Sequence, residues 1–404
     1  MSRFEREKSP FGHPARSPET NRRRPGAVDG WNRWPEDGRP WTVGIEEEVM
    51  LLDPESWALA QCVEEVLDAL PSDVRTAVCS ETHSGAIELN TRPHATVAGA
   101  AADLGRLRSS LTGVLDRLGL RAGCSGTHPF ADWHEMRVAD ADRHQAVAGS
   151  MRELARREPT FALHVHVAVP TSAAAMAAAN QMRAHLPLLL ALSANSPYWQ
   201  GRDSGLASAR TPLFQAFPRV GIPRAFASYN DWVETVDLLV RCQAFPDHSF
   251  LWWDVRLQPR YGTVEVRIMD AQCSVERAAA LTALVQCLVR LEATEGYAPA
   301  HLLQAQEVLD ENRFLAARDG VEAALIDPVR ERRVPLHELV GPLLDACAPH
   351  AADLGCEAEL GLVRLLADEG GAQRQRRLAG DDEDLCGLVA RLSEAYAPLP
   401  VAAA

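Results

Sequence analysis

Three adjacent glutamates, Glu46, Glu47 and Glu48, stand inside Trp41-Thr-Val-Gly-Ile-Glu-Glu-Glu-Val-Met-Leu-Leu-Asp53, a segment whose other residues suit a buried strand. Side chains on a strand alternate between its two faces. Val43, Ile45, Val49 and Leu51 therefore share a face that only Glu47 interrupts, while Glu46 and Glu48 project together from the other. Two carboxylates so close repel unless a cation or a proton lies between them. Three further segments repeat the design. Phe161, Leu163, Val165, Val167 and Val169 oppose His164 and His166; Val264, Val266 and Ile268 oppose Glu265 and Arg267; Ile87 and Leu89 oppose Glu88 and Asn90. If the four strands share a sheet, their ionisable faces line one basin and helices cover the apolar side. Carboxylates in this number select hard divalent cations, magnesium or manganese, where zinc prefers histidine and cysteine. His166 reads as a hydrogen-bonding residue rather than a ligand. Magnesium commonly binds together with substrate phosphates. Arg267 and loop arginines would then offset the charge of a transferring phosphoryl group.

Composition removes the main alternatives for phosphate handling. Of 41 basic residues only Lys8 is a lysine, and it lies in a polar tail. That argues against a Walker P-loop, a protein kinase, and Schiff-base or pyridoxal chemistry, all of which need a lysine in the folded part. A net charge of −14 disfavours a nucleic-acid partner. No apolar run approaches the roughly 18 residues of a membrane span, and residues 1–39 lack a secretory core. Nine cysteines without CxxC pairs argue against a disulfide framework and for a cytoplasmic setting.

Stepwise along the chain, residues 1–39 read as a disordered N-terminal extension and 40–398 as one catalytic domain. Strands are expected near 41–52, 84–91, 161–169 and 261–269. Helices are expected over 96–120, 172–193, 275–296, 299–318 and several segments after 340, with Pro187 breaking the second. The long loop 196–225 is of the kind that carries function. Asp381–Asp384 reads as a helix start. Glu47, stranded on the apolar face, calls for an arginine behind the sheet.

Six segments together resemble a known family. Thr42-Val-Gly-Ile-Glu-Glu-Glu48, His164-Val-His-Val167, Ser193-Ala-Asn-Ser-Pro-Tyr-Trp-Gln-Gly-Arg-Asp203, Trp252-Trp-Asp-Val-Arg256, Thr263-Val-Glu-Val-Arg-Ile-Met-Asp270 and Glu311-Asn-Arg-Phe-Leu-Ala-Ala-Arg318 are similar to the glutamate–cysteine ligase type 2 family of carboxylate–amine ligases. The resemblance implies an α+β, glutamine-synthetase-like fold, in which a curved antiparallel sheet forms a partial barrel with helices on its outer face. It implies ATP and Mg2+, with Mn2+ as a substitute, and the phosphorylation of a glutamate carboxylate that the amine of cysteine then attacks. By the same resemblance Glu46, Glu48, Glu88 and Glu265 hold metal. Glu46, Glu48, Glu265 and Arg267 contact the nucleotide through it, and Arg267 and His164 act on the phosphoryl group. Arg202, Arg210 and His128, on the loops at 196–210 and Gly126–Pro129, are expected at the rim of the amino-acid site. Glu48→Gln and Glu265→Gln are each expected to abolish activity with the fold intact. Partners are then small amino acids, and the Ala- and Leu-rich helices suit a homodimer. The rival reading is a metal-dependent hydrolase using the same glutamates and histidines, although the chain lacks an HExxH signature.

Overall fold

In a computed structural model of the protein, residues 30–35, 38–157 and 159–396 are described. The four expected strands all form and lie in one sheet. They are β1 (Val43–Leu52), β3 (Ala86–Asn90), β5 (Ala162–Ala168) and β7 (Thr263–Asp270), joined by the short β2 (Val78–Ser80), β4 (Arg121–Gly123) and β6 (Val255–Gln258). The order is β6-β7-β5-β1-β3-β2, with β4 also on β1, and every pairing is antiparallel. The sheet is open, with β6, β2 and the short β4 each paired on one side only. β1 holds its centre: β3 pairs with Glu46–Met50 on one side, and β5 and β4 share the other. A strand flanked on both sides has no solvated edge, so its glutamates must be accommodated by what faces them.

Helices cover the apolar face. The Val275–Thr294 helix is buried over most of its length, and the Val97–Leu118, Ser172–Met182 and Leu336–Leu354 helices pack on it. The Val97–Leu118 helix starts on the Thr96 hydroxyl, which accepts from Gly99 N, and stops at left-handed Gly119. The span expected as helix 172–193 is two helices, with Pro187 in the first turn of the second (Leu186–Ser193). The span 299–318 is likewise divided, into Ala300–Leu303 and Gln306–Asp319, because Ala305 leaves the helical backbone. Asp384 caps the last helix, its carboxylate accepting from Gly387 N. No helix among the described residues is long and apolar enough to cross a membrane.

Behind the sheet lies the arginine that Glu47 called for. Arg108, on the Val97–Leu118 helix, donates to both Glu47 carboxylate oxygens, one through Nε at 2.8 Å, and both side chains are fully buried. Its remaining donors reach the carbonyls of Gln272 and Cys273, and its plane covers the Tyr396 ring at 4.3 Å.

The expected extension needs correction at one place. Residues 30–35 pack onto the fold, because Trp31 and Trp34 find partners for both their rings and their N–H groups. Residues 1–29 and 36–37 of the expected extension, and the end of the expected domain at 397–398, lie outside the described residues.

Candidate active site

Register brings the ionisable residues together as cross-strand neighbours. Glu46 faces His164 and Glu48 faces Glu88, while His166 and Arg256 both face Glu265 from opposite sides. A shift of register between Val266 and Met269 makes a bulge at Arg267, whose N–H turns to the Asp254 carbonyl while its guanidinium points at the other charged residues. Of these, Glu46, Glu48, Glu88, Arg256 and Arg267 line a cavity of about 960 Å³, together with Glu81, Arg143, Arg260 and Tyr261, while His164, His166 and Glu265 are buried against them.

The cluster divides into an acidic part and a paired part. Glu48 accepts the Ala162 N–H on Oε2 at 2.7 Å, which leaves Oε1 facing His164 Nε2 at 3.8 Å. His164 Nδ1 lies 3.1 Å from Glu46 Oε2, which can only accept, and 3.3 Å from Arg267 Nη1, which can only donate; the shorter contact is the one Nδ1 makes as a donor. With Nδ1 as the donor, Nε2 carries a lone pair, and it has no hydrogen-bond partner among the described residues. Burial, with Arg267 adding to it, holds this imidazole below its ordinary range and so favours its neutral form. A lone pair facing a carboxylate oxygen across that gap is an arrangement that a cation completes. Glu48, Glu81 and Glu88 can also converge on one ion, as can Glu46, Glu88 and His164.

The electrostatics point the same way. Burial, then Glu48 and Glu88, push the Glu81 carboxyl well above its usual range. Burial, then Glu46 and Glu48, push Glu88 up to about 7. Glu46 behaves oppositely: burial resists ionisation, but His166 and the hydrogen bonds from both histidines pull it well below the carboxylate range. His166, whose Nδ1 bonds Thr263 and whose Nε2 lies 3.0 Å from Glu46, is raised by Glu46 and Glu265 against the effect of burial. The hydrogen-bonding part expected of it fits those contacts.

A raised carboxyl gives a pH prediction. Its stabilisation of the fold is complete below the unfolded value and is lost as pH rises through the folded one. Metal-free protein is expected to melt at lower temperature at pH 8 than at pH 6, and added Mg2+ to recover more at pH 8. Thermal melts at both pH values decide it, and a Mg2+ effect independent of pH would count against the carboxylate cluster as its site.

Glu265 departs from its expected part. Arg256 donates to it through Nε at 2.6 Å and Nη2 at 3.1 Å, Gln258 at 2.8 Å, and Arg267 closes the network. Arg256, Arg267 and His166 overcome burial and pull its pKa well below the usual range. It stands near enough to Glu46 and His166 to share an ion with them, but only by releasing an arginine. Its geometry is that of a clamp positioning two guanidiniums.

The three expected substrate contacts are not brought to the cavity. Arg210 is buried, and its guanidinium braces the carbonyls of Arg267 and Ile268. His128 bonds the Trp57 carbonyl and accepts from Ala131 N. Arg202 is exposed on a two-residue ribbon with Trp199. The loop around them is knitted to Asp270, which accepts from Asn195 N and from the Ser196 and Ser208 hydroxyls. That loop contributes Phe214 and Phe217 to the cavity instead. Trp252 also lines it, while Asp254 pairs with Arg313 at 2.6 Å, so the two motifs carrying them meet structurally. Glu81 and Arg143 had no place in the sequence reading. The only hint for Glu81 was the Ser84-Gly85 turn, which implies a partner strand before β3.

A profile described as glutamate-cysteine ligase family 2 matches residues 42–394. The chain belongs to that family. Two relatives from Rubrobacter xylanophilus carry the provisional names glutamate–cysteine ligase 2-1 and 2-3. The first is 38% identical over 89% of this chain and 95% of its own length; the second is 40% identical over 89% and 98%. Among solved structures, the fold is that of a bifunctional glutathione synthetase from Pasteurella multocida (TM-score 0.68, 14% identity, 88% of this chain). This chain spans about half of that protein, 52% of its length. A glutamate–cysteine ligase from Francisella tularensis in complex with AMP has the same fold (TM-score 0.62, 14% identity, 90% of both chains). The α+β architecture and the family expected from the six motifs are thereby established. The family match takes in every ionisable cavity residue named above and begins after Gly30 and Trp31, which also line the cavity.

Proposed function

We propose that the chain is an ATP-dependent carboxylate–amine ligase of the glutamate–cysteine type. The observation that carries this is a cavity in which an acidic cluster, Glu48, Glu81 and Glu88, with no arginine or lysine ion pair among the described residues, faces the Glu265-clamped pair Arg256 and Arg267. A transferring phosphoryl group needs both: cations between the carboxylates and the phosphates, and fixed guanidiniums at its equatorial oxygens. Glu46, Glu48, Glu81, Glu88 and the free Nε2 of His164 would hold magnesium, or manganese in its place, which neutralises phosphate charge when bound. An oxygen of the glutamate γ-carboxylate attacks the γ-phosphorus as the bond to ADP breaks. The amine nitrogen then attacks the acyl carbon, phosphate leaves, and the nitrogen gives up its proton. Arg267, locked by Glu265, meets the phosphoryl oxygens in both steps, so no nucleophilic side chain is required.

Family membership supports the glutamate–cysteine assignment, and nothing in the comparisons favours the rival hydrolase. The amino-acid end of the cavity is assigned to Arg143 and Arg260, because Arg202 and Arg210 lie elsewhere. ADP release from purified protein with Mg-ATP tests the proposal. It is expected only when glutamate and an amine, cysteine first, are both present. Release without an amine donor, or turnover without ATP, would sink it.

A further inference from the structure

The segment Gly30–Pro35 precedes the family match at residue 42, yet it is built into the cavity wall. Trp31 donates its Nε1–H to Asp237 at 3.0 Å, stacks on His248 at 4.8 Å with planes 20° apart, and packs against Trp232 at 5.4 Å. Trp34 donates to the Val169 carbonyl at 2.9 Å, and the Tyr229 hydroxyl donates to the Asn32 carbonyl at 2.8 Å. Pro35 sits so close to Gly262, whose φ is +66°, that an added Cβ would come within 3.0 Å of its ring. The segment is thus pinned to the Tyr229–Arg241 helix and to the hairpin between β6 and β7. Trp31, Asp237 and His248 all line the cavity, beside Val240 and Pro246.

The cavity therefore has two unlike walls. One is ionisable and suits charged ligands: phosphates, cations and small amino acids. The other is mainly aromatic and apolar, Trp31, Val240, Pro246 and His248, with Asp237 taken up by the Trp31 N–H, and of the ligands the ligase reading requires, only the base of the nucleotide is planar and uncharged. We propose that Trp31 and His248 form the wall against which the nucleotide base packs, so that a segment outside the family-matched region completes the nucleotide site. The indole is held by the stacked His248 ring, by the tilted Trp232 ring and at its N–H before any ligand arrives, and a wall fixed in advance costs little ordering on binding. This rests on the ATP-dependent reading above.

Calorimetric binding of Mg-ADP and of Mg-tripolyphosphate to the full-length chain separates the base from the phosphates. Trp31→Leu is expected to weaken ADP about tenfold, the loss of one base–aromatic contact, and to leave tripolyphosphate unchanged. Trp31→Phe, which keeps a ring, should stay within about threefold of wild type for both. If Trp31→Leu fails to fold, His248→Leu removes the other half of the stack and should give the same split. Equal weakening of both ligands, or unchanged ADP affinity in a folded variant, overturns the proposal. Wild-type protein that binds neither ligand overturns the ligase reading with it, whereas wild-type ADP binding unaffected by these variants overturns the base site alone.

Discussion

Glu48→Gln is expected to lower ATP-dependent turnover by about 10²–10³-fold or more, the scale set by removing one preorganised electrostatic contact to a transition state. The substitution is nearly isosteric. The glutamine carbonyl can still accept the Ala162 N–H, which holds the side chain in place. Its NH2 group would then stand where Oε1 faces His164 Nε2, offering a donor where a cation needs a lone pair. Because Glu48 lies directly opposite Glu88, losing its charge also relieves a repulsion across the strands. The variant should therefore melt no lower than wild type while binding Mg2+ more weakly. ADP release, Mg2+ titration and a melt on the same sample test all three expectations. Wild-type turnover would remove Glu48 from the site; a lower melting temperature would mean that its charge is structural.

Glu265→Gln is the contrasting case. Its sequence position suggested the same loss of activity with the fold intact. Its partners overrule that, because two guanidiniums, Arg256 and Arg267, would lose the carboxylate that compensates them. Activity should fall together with stability, measured by ADP release and denaturation, and a stable inactive variant would restore Glu265 to direct cation binding.

The legible part of the site was the part carried by long strands. β1, β3, β5 and β7 each run five residues or more, enough for a period of two to sort one face from the other. Glu46, Glu48, Glu88, His164, Glu265 and Arg267 came out of that pattern onto one face. β2 and β4 span three residues each, too short to alternate visibly, and Glu81 was lost with β2. Residue type alone misled at the loops. Arg202 and Arg210 look like carboxylate forks in a sequence, but whether an arginine meets a ligand or braces a carbonyl depends on long-range packing. The same limit hid Trp31. It lies in a Pro- and Arg-rich stretch that reads as unstructured, and its partners Trp232, Asp237 and His248 are some two hundred residues away in the chain.

Breaking the ion pair behind the sheet is expected to have the largest effect on stability. Arg108→Leu leaves Glu47 as a fully buried, uncompensated charge, which costs about 3–5 kcal/mol. Replacing both partners, Glu47→Leu with Arg108→Leu, should recover part of that loss, since no buried charge remains. Recovery should stay incomplete, because Arg108 also satisfies the Gln272 and Cys273 carbonyls just beyond β7. Urea denaturation of the two single variants and the double variant measures the coupling. A double variant no more stable than Arg108→Leu would mean that the carbonyl bonds, not the charge, dominate. The pair also matters to the site in front of the sheet. A slip of one residue in β1 would turn Glu46 and Glu48 to the back and Glu47 to the cavity. Only the register that buries Glu47 against Arg108 satisfies its charge, so the ion pair on the apolar face holds its two neighbours toward the cavity. Arg108→Leu should accordingly weaken Mg2+ binding even under conditions where the protein remains folded, although Arg108 lies on the opposite face of the sheet from the cluster.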